Sequence, residues 1–132
     1  MHFACDDTDH TTPRPLRLAA PFFGAFLRSG RCPLAHRAHA RSSLPLIALF
    51  ISTLADERHS LPWERMRPEL FAAMALDVDP ADRRFARDLL ELTAAYYRWL
   101  GESELVATAR ATQIAVALDA IVESLFGLDR VA

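Results

Sequence analysis

The stretch DPADRRFARDLLELTAAYYRWLG (residues 79–101), followed by ESELVATARATQIAVALDAIVESLFG (residues 102–127), reads as two long helices joined by one short turn. Asp79 suits an N-cap and Pro80 the first helical position. Asp82 places a negative charge in the first turn, where the helix dipole favours it. Gly101 is expected to close the first helix, Ser103 to cap the second and Gly127 to end it. The first helix carries a seam of Phe85, Leu89, Leu92, Tyr96 and Trp99 at alternating spacings of four and three. Its other face carries Arg84, Arg87, Asp88, Glu91 and Arg98 and reads as solvated scaffold, with weak i, i+4 pairs Arg84–Asp88 and Arg87–Glu91.

The second helix differs. Ile114, Leu118, Ile121, Val122 and Leu125 form one broad apolar face, and Ala109, Val116, Ala117 and Ala120 a second face of small residues. Polar residues shrink to Arg110 and Gln113, then Thr112, Asp119 and Glu123, and the last two read as a solvated edge. A helix with two packing faces is expected to meet its own bundle and something else, and pairing about a two-fold axis is the commonest way to bury such a face. The expected dimer interface is Leu92, Ile114, Ala117, Leu118, Ile121, Val122 and Leu125.

Working back towards the N-terminus, Ser60 and Pro62 open an element containing Trp63, Met66, Leu70, Phe71 and Met74. Pro68 inside it predicts a kink or two short pieces, because proline lacks a donor and clashes with the preceding turn. Ser43 and Pro45 start a helix through Leu46, Ile47, Leu49, Phe50, Ile51 and Leu54, apolar nearly all round and so buried on several sides; Asp56, Glu57, Arg58 and His59 mark its exit. Residues 30–43 read as an Arg-, Ala-, Ser- and His-containing linker. Residues 15–29 read as a short apolar helix of Phe22, Phe23, Phe26 and Leu27, begun by Pro21 and ended by Gly30. Residues 1–14 read as a loose polar tail. Two divisions follow: residues 1–43, a tail, short helix and linker; and residues 44–132, an all-α antiparallel bundle.

A chain of 132 residues with 52% apolar and 24% charged residues can bury a real core. A net charge of -2 argues against a strongly basic nucleic-acid binder, although residues 1–45 carry six Arg against three Asp. Arg28, Arg31, Arg37 and Arg41 have no interleaved aromatics and read as a solvated loop. All fifteen basic residues are Arg, which suggests a high-GC coding sequence more than a mechanism. Cys5 and Cys32 make no disulfide framework, no signal peptide is evident, and Leu44 to Leu54 is too short to span a membrane. A cytoplasmic protein is expected.

Chemical signatures are sparse. The four glycines are dispersed, and neither G-x-S-x-G nor H-E-x-x-H nor a paired E-x-x-H occurs, so neither catalytic residues nor a cofactor are assigned. Cys32, His36 and His39 have a spacing that a metal could use, but no fourth ligand is near and Pro33 interrupts the segment, so no metal is assigned. The aromatic and Met residues of the second half serve a core or an apolar small-molecule pocket between helices. The expected pocket lies near Phe71, Met74, Phe85, Leu89, Tyr96 and Trp99, with Tyr96 and Tyr97 as polar handles.

The segment ATARATQIAVALDAIVESLFG (residues 107–127) resembles the closing helix of TetR-type transcriptional regulators, in which small residues lead to an Ala-Leu-Asp-Gly-like step and an apolar end. The preceding long helix and the Pro-interrupted element are similar to that family's ligand-binding domain, so the likeness covers roughly residues 44–132. It implies an all-helical effector domain that dimerises through its last two helices as a four-helix interface, and a repressor whose DNA affinity changes when a small molecule binds. The family's N-terminal helix-turn-helix has no counterpart in residues 1–43, where five prolines fall between Pro13 and Pro45. The expected function is a homodimeric, regulator-like domain for a small apolar ligand, without an evident DNA-binding head. The alternatives are a structural or interaction bundle without a ligand, and a small helical enzyme using the His-rich segment.

Overall fold

The computed structural model describes residues 14–54 and 63–131, with side chains described over 17–53 and 63–127. The polar tail, the exit at Asp56–His59 and the Ser60–Pro62 start lie outside the described residues. Five α-helices and two 3-10 turns make up the described chain, which contains no strand. The helices are α1 (Arg14–Arg28), α2 (Arg37–Leu54), α3 (Pro68–Val78), α4 (Arg83–Glu102) and α5 (Thr108–Val131), with 3-10 turns at Leu34–His36 and Trp63–Arg65. The protein is an all-α helical bundle.

Helices α4 and α5 form the most extensive pair. They run antiparallel: Gly101 lies against Ala111 at the turn, Arg98 pairs with Asp119 midway, and Arg83 lies over the Phe126 ring at the far end. Packed against this hairpin is α3, while α1 packs on α2, and α2 touches α3 and α4. The predicted seam holds, with Leu89, Leu92, Tyr96 and Trp99 buried and Phe85 half-buried.

Several boundaries differ from the sequence reading, each for a local reason. Residues 79–82 form a turn in which Asp79 accepts from the Ala81 N–H. Asp82 is the N-cap of α4, accepting from Arg84 N–H at 3.1 Å. Gly101 does not close α4. The helix runs on to Glu102 and ends in a Schellman pattern: Leu105 N–H donates to Leu100 O at 2.9 Å and Glu104 N–H to Gly101 O at 3.1 Å. Glu104, with φ 60°, takes the left-handed position usually given to glycine. Gly101 serves packing instead: a Cβ there would stand 2.9 Å from the Ala111 Cβ, so its absence lets α5 approach α4. α5 begins at Thr108 and not Ser103, and passes through Gly127 to Val131.

The two N-terminal helices are longer than expected. Pro21 lies inside α1, and α2 begins at Arg37, so half of the expected linker is helical and Pro45 lies within the helix. Each of these prolines removes one i→i−4 donor, which burial of the apolar faces offsets. Phe23 and Phe26 of α1, and Ala40, Leu44, Ile47, Ala48 and Ile51 of α2, are buried. The Pro68 interruption gives two short pieces: the 3-10 turn at Trp63–Arg65, then α3 with Pro68 in its first turn.

Candidate functional site

Tyr96 is the hub of an aromatic cluster between α1 and α4. Its ring centroid lies 5.2 Å from Phe26, 5.6 Å from Phe23, 5.3 Å from Trp63, 5.8 Å from Trp99 and 6.2 Å from Tyr97. Most of these contacts are edge-on or tilted, the geometry in which aromatic quadrupoles attract. The Trp63 indole is held from behind. Tyr97 Oη donates to Trp63 O at 2.6 Å, and the Arg110 guanidinium donates to Glu64 O at 2.7 Å and Met66 O at 2.9 Å. Arg110 and Tyr97 thus fix the 3-10 turn that carries Trp63.

Two polar atoms in this cluster have no hydrogen-bond partner among the described residues: Trp63 Nε1 and Tyr96 Oη. Both residues are buried, Tyr96 completely. Leaving a buried donor unpaired costs ~1–3 kcal/mol, so two such atoms on touching rings are an uncommon pairing. Burial pushes the Tyr96 hydroxyl well above the usual tyrosine range. Burial does the same to Tyr97, with further raising by Tyr96 and Glu64 and lowering by Arg110. Both hydroxyls are therefore protonated at neutral pH.

The expected pocket residues divide. Tyr96 and Trp99 belong to this cluster, whereas Phe71 packs on Phe50 of α2 at 5.7 Å, on the α2–α3 side. Leu89 is buried in the general core, and Met74 and Phe85 are half-buried against it. Trp63, Phe23 and Phe26 complete the Tyr96 cluster, and sequence reading missed their convergence because α1 and the 3-10 turn lie far away along the chain. Two surface clefts border this region. One, of about 280 Å³, lies beside Arg110, Met66 and Glu69; the other, of about 170 Å³, is lined by Trp99, Arg31 and Glu102.

A second constellation lies on the other side of α4. His36 Nε2 is 3.1 Å from Glu91 Oε1, His36 Nδ1 is 3.1 Å from His39 Nε2, and His39 Nδ1 is 3.0 Å from Ser43 Oγ. His36 and Ser43 are buried and His39 half-buried. The face of α4 read as solvated scaffold is therefore partly covered: Arg87, Asp88 and Glu91 are half-buried. Arg87 Nη2 lies 3.7 Å from Asp88 Oδ1. Cys32, grouped with the two histidines by spacing, is buried and its thiol faces Pro33 O at 3.7 Å. Burial raises that thiol above its ordinary range, partly countered by Arg37.

The dimer residues expected from sequence also separate. Leu92, Ile114, Leu118 and Val122 are sealed in the chain's own core, because α5 turns its broad apolar face inward onto α3 and α4. Ala117 and Ile121 are half-buried and Leu125 is 38% exposed. The outward stripe of α5 is the small-residue face: Ala109 and Ala120 are exposed and Val116 is 56% exposed. Asp119 is paired with Arg98 and so ties the hairpin together rather than standing free. No described helix is long and apolar enough to cross a membrane.

No protein-family model matches this chain, and neither a curated protein nor a solved structure matches it.

Proposed function

We propose that this chain is a non-enzymatic, regulator-like helical domain that binds a small apolar ligand and pairs with a second copy of itself. The observation that carries the ligand is the pair Trp63 Nε1 and Tyr96 Oη, unpartnered among the described residues and set among aromatic rings, beside a turn whose carbonyls Arg110 and Tyr97 hold. Trp63 Nε1–H can only donate, and a neutral Tyr96 hydroxyl can donate as well. The matching ligand is mostly apolar and carries a hydrogen-bond acceptor, such as a carbonyl or ether oxygen, that both can reach. Binding an acceptor there relieves two unmet donors at once, and it would occupy space now shared with the α1 phenylalanines. Ligand uptake is accordingly coupled to a small outward shift of α1, whose aromatic side chains form one wall. Pairing uses the outward stripe Ala109, Val116 and Ala120, flanked by Ala117, Ile121 and Leu125, since small side chains admit a close second helix. The reading assigns no DNA contact to this chain.

The chain has two tryptophans, so ¹⁵N spectra carry two indole signals, assigned by Trp99→Phe. Titration with a set of aromatic ketones is expected to move the Trp63 indole signal downfield with saturable, sub-millimolar affinity, and Tyr96→Phe is expected to weaken that response. An indole signal unmoved across the set would favour the ligand-free structural bundle. Light scattering of the same sample reads the pairing, and a monomer mass would remove that half of the proposal.

A further inference from the structure

We propose that His36, Asp88 and Glu91 form a binding site for a divalent transition cation such as Zn²⁺, independent of the aromatic cluster. One ligand atom from each lies within 4.8 Å of the other two. The elements that bring them together are well packed: His36 ends the 3-10 turn that leads into α2, and Asp88 and Glu91 stand one turn apart on α4. The His36 Nε2–Glu91 Oε1 separation of 3.1 Å is the edge that a cation would span. Two ligands each ~2.1 Å from a metal are about 3.0–3.4 Å apart at octahedral or tetrahedral angles. Asp88 offers the third ligand atom, and solvent can complete the shell from the partly exposed side of the two carboxylates. One imidazole and two carboxylates suit Zn²⁺, Co²⁺ or Mn²⁺ better than a thiolate-seeking ion.

The hydrogen-bond chain beyond His36 can serve as the outer shell of a metal-bound histidine. With both rings neutral and no cation, one hydrogen-bond order places one proton in every contact. Ser43 O–H donates to His39 Nδ1, His39 Nε2–H to His36 Nδ1, and His36 Nε2–H to Glu91. A cation at Nε2 reverses that order. His36 then donates Nδ1–H to His39 Nε2, and His39 donates Nδ1–H to Ser43 Oγ. Each ring keeps one proton and merely changes tautomer, and the oriented second nitrogen is what tightens a histidine ligand. Arg87, 3.7 Å from Asp88, supplies the positive charge that a cation would replace.

Cobalt titration of the purified full chain, followed by visible absorption, tests this. The wild type is expected to develop ligand-field bands and bind with micromolar affinity. His36→Ala and Glu91→Gln should each lose at least tenfold in affinity, and the near-isosteric Asp88→Asn should lose a similar amount. His39→Ala acts through orientation. It should keep the band positions of the wild type while weakening affinity roughly 10–100-fold. Arg87→Ala should bind more tightly. Wild-type spectra without bands, or affinity unchanged in folded His36→Ala and Asp88→Asn, would overturn the site; the second outcome would show cobalt held by histidines elsewhere in the chain.

Discussion

Helix α4 faces two neighbourhoods that handle polarity in opposite ways. Towards α1, Tyr96 offers its hydroxyl to a shell of aromatic rings, and neither it nor the touching Trp63 indole finds a partner among the described residues. Towards α2, Glu91 meets His36, His36 meets His39, and His39 meets Ser43, so polar groups are passed partner to partner into the core. One helix thus carries an unmet hydrogen-bonding demand on one side and a met one on the other. A buried polar network is stabilising only when complete, whereas isolated donors in an apolar shell are retained at a cost. The difference separates a place that something else can complete from a place that already holds together, and into which a cation enters only by exchanging tautomers.

The largest expected effect is alkaline. The hydroxyls of Tyr96 and Tyr97 are held above the ordinary tyrosine range by burial, so the folded chain keeps protons that the unfolded chain releases above about pH 10. The stability they contribute is therefore complete below pH 10 and lost as pH rises towards their folded values. Urea unfolding between pH 9 and 11.5 should show stability level at first and then falling above about pH 10, by up to about 1.4 kcal/mol per pH unit for each tyrosine. Tyr96→Phe should remove one of the two increments. A flat profile would mean that the aromatic side is wet.

On the other side of α4, Glu91→Ala takes the partner from buried His36 Nε2 and should cost about 1–3 kcal/mol at pH 8, read from the urea midpoint. A loss below the error of that measurement would mean that water readily replaces the carboxylate and the network is not closed.

The smallest effect discriminates most sharply, because the two residues are adjacent. Tyr97→Phe discards a 2.6 Å hydrogen bond to Trp63 O and loosens the turn that holds the indole, costing about 1 kcal/mol. Tyr96→Phe discards a hydroxyl with no partner among the described residues and should be neutral or slightly stabilising. Equal losses in the two variants would erase the contrast, showing that a water or ligand satisfies Tyr96 in solution.

Much of the hairpin was legible. The period of Phe85, Leu89, Leu92, Tyr96 and Trp99 is a local property of α4, and a helix shows it before it packs against anything. The candidate sites were legible only in fragments. His36 and His39 were noticed, but were grouped with Cys32, which is near in the chain, and not with Glu91, which is near in space. Glu91 and Asp88 looked like surface charge because their covering element, the start of α2, lies more than forty residues away. Tyr96 and Trp99 were expected in a pocket with Phe71, yet Phe71 faces Phe50 across a different seam.

What the sequence determined by itself was the all-α class, the α4 seam and the break at Pro68, because propensity, proline geometry and apolar period act within a few residues. Only the tertiary structure decided which of two apolar faces of α5 turned inward, why Gly101 must lack a side chain, and which charges on α4 were covered. Those outcomes depend on the area each face buries against partners distant in the chain. Ile114, Leu118 and Val122 bury more than Ala109, Val116 and Ala120 can, so the small-residue stripe was left to face outward.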